Sequence, residues 1–99
     1  MSIPKTDEAA VRAIIRALRG AGWRLEFVDD GEELVPTATE AVAIETVMSV
    51  DQATLSVTNA VGATGWVLFV LGNDPEEVAC NYTANLSDAI DPLTDTWYE

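Results

Sequence analysis

Trp23-Arg24-Leu25-Glu26-Phe27-Val28-Asp29-Asp30-Gly31-Glu32-Glu33-Leu34-Val35-Pro36 is the stretch on which the fold turns. Trp23, Leu25 and Phe27 alternate with Arg24, Glu26 and Val28, the two-residue period of a strand with one buried face. Asp30-Gly31 is a type I′ hairpin signal, because that turn needs left-handed backbone at both central positions. Leu34 and Val35 then belong to a return strand that stops at Pro36.

Before this hairpin, Val11, Ile14, Ile15 and Leu18 recur at helical spacing. Thr6 is a plausible N-cap, Asp7 and Glu8 sit where the helix dipole favours negative charge, and Gly20 reads as the C-cap. The spacing predicts a helix over residues 6–20, with Arg12, Arg16 and Arg19 in a stripe along the flank of its apolar face.

After the hairpin, Thr37-Ala38-Thr39-Glu40 reads as a capping box, with the Thr hydroxyl and the Glu carboxylate each taking a free backbone N–H. A second helix is expected over 38–49, burying Ala41, Ile44, Val47 and Met48. Leu55 and Val57 alternate with Thr54, Ser56 and Thr58 in a third strand. Trp66 to Leu71 is apolar on both faces and reads as a central, covered strand. Asp74-Pro75-Glu76-Glu77 reads as a helix start, followed by Val78, Tyr82, Leu86 and Ile90 at intervals of four. Asn81, Thr83, Asn85 and Ser87 are weak helix formers, so this third helix is expected to be short or broken. Asp91-Pro92 repeats the start signal ahead of Trp97 and Tyr98.

An offset of thirty places Ile14, Leu18, Leu25, Phe27 and Asp29 on Ile44, Met48, Leu55, Val57 and Asn59. The match is one of hydrophobic pattern, a possible two-fold pseudo-repeat. The expected fold is α+β, in the order α-β-β-α-β-β-α. It is a two-layer sandwich with a four-stranded antiparallel sheet and its helices on one face. Ninety-nine residues, 48% of them hydrophobic, suit one small domain over 1–99.

Charge is the most informative feature of the composition. The five basic residues, Lys5, Arg12, Arg16, Arg19 and Arg24, lie in the first 24 positions. Of the seventeen acids only Asp7 and Glu8 share that segment, so fifteen lie beyond it with no base, and the net charge is −12. Direct nucleic-acid binding and anionic membranes are disfavoured, and a basic protein partner is favoured. No apolar run approaches the ~20 residues of a membrane span, and no hydrophobic leader follows Met1, so the cytoplasm is the expected compartment.

With no histidine, the usual nucleophile-base triads and histidine metal sites are missing. Gly62 and Gly65 lack the spacing and the lysine of a phosphate loop. The one cysteine, Cys80, reads as a small buried hydrophobe. No enzyme, cofactor or metal site is therefore expected.

The densest acidic run is Asp29, Asp30, Glu32 and Glu33, followed by Asp74, Glu76 and Glu77. These seven are the candidate contact surface of a non-catalytic interaction domain that presents carboxylates to a basic partner, as an inhibitor, an immunity-type protein or a nucleic-acid mimic would. Arg12, Arg16, Arg19 and Trp97 are secondary contact candidates. The arginines would otherwise neutralise neighbouring carboxylates, and Trp97 would otherwise dock on the core. Acidity for solubility alone is one alternative. A small structural or ligand-binding module acting as a homo-oligomer, through an open Thr/Ser-rich sheet face or an edge strand, is another.

Overall fold

The computed structural model describes residues 4–37 and 39–98. Residues 1–3, residue 38 at the expected start of the second helix, and Glu99 lie outside the described residues.

Thr6 starts α1 (Asp7–Gly20) by accepting the Ala9 N–H on Oγ1 at 3.1 Å. The apolar face of the helix, Ala10, Val11, Ile14, Ile15 and Leu18, is fully buried. Gly20 is the last helical residue rather than the cap. Gly22, at φ 95°, takes the left-handed backbone, and the Trp23 N–H returns to the Leu18 carbonyl at 3.0 Å. Then follow β1 (Arg24–Asp29), β2 (Leu34–Pro36), α2 (Glu40–Met48), β3 (Gln52–Thr58), β4 (Thr64–Val70), β5 (Ala79–Tyr82) and α3 (Ser87–Asp95).

The strands form one antiparallel sheet in the order β2-β1-β3-β4-β5. Val28, Leu55, Val57, Val67 and Phe69 point from one face into a single core with α1, with Ala43, Ile44 and Val47 of α2, and with Ile90 of α3. The expected α+β sandwich is present. β1 and β3 stand side by side with β2 and β4 flanking them, the arrangement of two α-β-β units joined along their first strands.

The sheet has five strands, not four. Residues 79–82, expected in a third helix, are β5; only a 3₁₀ turn, Pro75–Glu77, follows the Asp74-Pro75 signal. β4 would otherwise present a bare edge, and it is closed by the Val70 N–H on the Val78 carbonyl (2.9 Å) and the Thr83 N–H on the Trp66 carbonyl (3.1 Å). The helix resumes at Ser87 and contains Pro92.

A bulge between Leu25 and Phe27 breaks the expected alternation of β1. Leu25 pairs with inward Val57 and Val28 with inward Leu55, while Phe27 pairs with Ser56 on the outer face. The hairpin loop spans residues 30–33 rather than two, because Asp29 still pairs with Leu34. Thr39, not Thr37, caps α2 by accepting the Val42 N–H at 3.3 Å, and Glu40 turns away to two arginines. Thr37 is buried, and among the described residues its Oγ1 is the one buried side-chain oxygen without a partner. On α2, Ala43 is buried in place of Ala41. Cys80 is exposed on β5 rather than buried.

The two edges of the sheet are blunted. β2 is three residues long and ends in Pro36; β5 carries a bulge, and its Tyr82 N–H is covered by Asn81 Oδ1 at 3.0 Å. Among the described residues no helix is long and apolar enough to cross a membrane.

Candidate functional site

Strand direction decides where the charges go. β1 ends at Asp29, paired with Thr54 near the start of β3; Gln52, which opens β3, pairs with Val70, which closes β4; and β5 begins at Ala79 opposite Phe69. One end of the sheet therefore holds the β1–β2 loop, Asp51 and the β4–β5 connection. The Leu71 N–H on the Asp51 carbonyl (2.8 Å) and the Gly72 N–H on Asp7 Oδ2 (3.1 Å) tie the start of β3 and the start of α1 to that end. All seven acidic candidates lie there: Asp29, Asp30, Glu32 and Glu33 on one side, Asp74, Glu76 and Glu77 on the other.

The hairpin carboxylates are held by their own loop. Asp29 Oδ1 accepts the Gly31 N–H, and Asp30 Oδ1 accepts the N–H groups of Glu32 and Glu33, each at 2.9 Å. The backbone bonds from Glu33 and then Glu32 lower the Asp30 pKa, so that carboxyl stays ionised to more acidic pH than usual. Among the described residues, none of Asp29, Asp30, Glu32, Glu33, Asp74 or Glu77 forms an ion pair with a base.

The arginines lie elsewhere, while Lys5 precedes by two residues the Asp7 that is tied to this end. Arg24 opens β1 at the far end of the sheet, paired with Thr58. α1 runs away from the acidic end, so Arg16 and Arg19 meet Glu40 where α2 begins, at 3.1 and 2.8 Å. The hydrogen bond from Arg16, with that from Arg19, lowers the Glu40 pKa against an opposing desolvation. Arg12 pairs with Glu8 at 3.6 Å. Each arginine of the stripe thus has a carboxylate partner within the molecule, while its side chain stays exposed. Trp97 is only 2% exposed and belongs to the core, so it offers no outward anchor.

The exposed tryptophan is Trp66, at 38%, which the sequence pattern had placed in a covered strand. It stands on the sheet face away from the helices, in register with Ser56 and, across it, with Phe27 and Pro36. Leu34, Leu68 and Val70 share that face. A hollow of about 460 Å³ opens between Glu26, Phe27, Ser56, Thr64, Gly65, Trp66 and Thr83. Sequence reasoning missed it because the bulge is invisible to a strict period of two.

On the other side of the sheet, the Tyr82 hydroxyl donates to Asp91 of α3. Burial first, then this bond and the charges of Asp91 and Asp95, push the Tyr82 phenol up from 10.0 to about 12. The fold favours the neutral phenol. Its contribution to stability is therefore full below pH 10.0 and is lost as pH rises toward about 12. An ultraviolet phenolate titration is expected to show a late step near pH 12 that disappears in Tyr82→Phe; a wild-type titration with only ordinary steps contradicts it.

Among the described residues no three His, Cys, Asp or Glu side chains are grouped to hold a metal ion. Comparisons with protein-family models, with curated proteins and with solved structures each find no match to this chain.

Proposed function

We propose that this chain is a non-catalytic interaction domain that receives a basic protein partner at the acidic end of its sheet. The carrying observation is the segregation of charge: strand order brings two carboxylate-rich loops to one end, while the arginines stand along α1 and at the other end. Carboxylates without a cationic partner are acceptors for Lys and Arg, and a concentrated negative field speeds encounter and orients the approach. A basic target of the nuclease or DNA-binding kind fits this reading, the domain then acting as an inhibitor or mimic.

A homo-oligomer is the second reading, and the uncovered sheet face favours it. Against it stand the net charge of −12 on each copy and the blunted edges.

Hexalysine, which offers charge and little else, is the probe. It is expected to bind at about 0.05 M salt and to be released by about 0.5 M, as screening shortens the range of the field. Glu32→Gln/Glu33→Gln is expected to weaken binding about five- to tenfold, more per charge removed than Asp88→Asn on α3. Equal losses per charge at both places would show that net charge alone matters. A salt-insensitive dimer in sedimentation, with no peptide bound, would favour the second reading.

A further inference from the structure

The geometry points to the hollow between Phe27 and Trp66 as a binding trough for an arginine side chain of the partner, a site that rests on the acidic-end reading and specifies its chemistry. The bulge in β1 sets Glu26 beside Phe27 at the hollow instead of leaving the two on opposite faces. Phe27, Ser56 and Trp66 lie in one row across β1, β3 and β4. Adjacent strands are about 4.8 Å apart, so the two aromatic residues rise about 10 Å from each other with only a serine between them. A planar guanidinium sandwiched between two rings needs about 7 Å, at ordinary carbon contact distance on each side. The trough is thus lined by two aromatic residues, a serine between them and a carboxylate.

That combination selects its occupant. An aliphatic side chain would leave Glu26 and the Ser56 hydroxyl unused, and an anion would meet Glu26. A guanidinium stacks on the rings, pairs with the carboxylate and lays its apolar stem along Leu68 or Phe27. Asp29 lies on the same outer face as Phe27, two residues along β1 toward the acidic end, while the lining of the trough runs the other way, to Thr64 at the start of β4. One extended basic segment can reach both. Thr83 braces the trough wall: its Oγ1 accepts the Trp66 N–H at 3.2 Å and donates to Asn85 Oδ1 at 2.7 Å.

The test compares hexaarginine with hexalysine on the full chain, at matched low salt. Hexaarginine is expected to bind about fivefold or more tightly than hexalysine and to shield Trp66 from acrylamide quenching, Trp23 and Trp97 being already buried. Ser56→Leu fills the trough with a side chain that an outward strand position accepts. It is expected to abolish the arginine preference while leaving hexalysine binding and the thermal midpoint unchanged. Glu26→Gln is expected to reduce the preference with the trough still open. Equal binding of the two peptides, with Trp66 still quenched and Ser56→Leu without effect, would overturn the trough and leave the acidic-end reading in place. Failure of both peptides to bind would remove that reading itself. Self-association abolished by Ser56→Leu would give the trough to a second copy and overturn the arginine assignment.

Discussion

Replacing Trp97 with alanine is expected to destabilise the protein by about 3–5 kcal/mol, the usual cost of truncating a large buried aromatic. Trp97 is only 2% exposed and is among the largest fully buried side chains, although it stands in a single 3₁₀ turn, Thr96–Tyr98, after α3. The loss is a large fraction of the roughly 5–15 kcal/mol that holds a natural domain together. For a chain of this length it corresponds to a fall in melting temperature on the order of 15–30 °C. Thermal and urea unfolding of Trp97→Ala measure it. A shift of only a few degrees would mean that the aromatic ring is not part of the core. Trp66→Ala is the informative contrast, since its side chain already meets water.

Gly65→Ala is expected to cost about 1–3 kcal/mol, by overpacking rather than by opening a cavity. A Cβ built on Gly65 would stand 2.8 Å from Thr83 Oγ1, 2.9 Å from Leu86 Cδ2 and 3.0 Å from Asn85 Oδ1. None of the three gives way cheaply. Thr83 Oγ1 is fixed by two hydrogen bonds, Asn85 Nδ2 donates to the Thr64 carbonyl at 2.7 Å, and Leu86 is fully buried. The better strand propensity of alanine, worth less than about 1 kcal/mol, offsets only part of this. Urea unfolding should show a lower midpoint with unchanged slope. The double variant with Thr83→Ala should lose less than the two single changes together, because the nearest obstruction is gone. An unchanged midpoint in Gly65→Ala would show that the turn leading into α3 is free to move aside.

Local features were the legible ones. α1 follows from its cap and spacing, and β3 from the alternation of Leu55 and Val57 with Thr54, Ser56 and Thr58. The acidic runs were legible because their members adjoin in sequence. Their shared placement was not, since residues 29–33 and 74–77 come to the same end of the sheet only through the order of five strands. Val78, Tyr82, Leu86 and Ile90 imitate a helix by their spacing, yet the chain is divided there between a strand that closes β4 and a helix that begins at Ser87. The need to pair an edge outweighed a periodic pattern. Phe27 and Val28 exchanged roles because one bulge shifts every later residue to the other face. Trp66 was misjudged and Trp97 left open for a related reason: a row of neighbours decides whether Trp66 is covered, and a tail folding back decides it for Trp97. The trough joins Glu26, Phe27, Ser56 and Trp66 from three strands, and no local pattern announces it.

The seam between β1 and β3 has a consequence for how the molecule comes apart. Each α-β-β half contributes one strand to it, and a two-stranded ribbon left to itself is at best marginal in water. The first half holds only such a ribbon, β1 and β2, and the two halves share one core. Loss of the seam opens that shared core to water, so unfolding is expected to follow a single cooperative step.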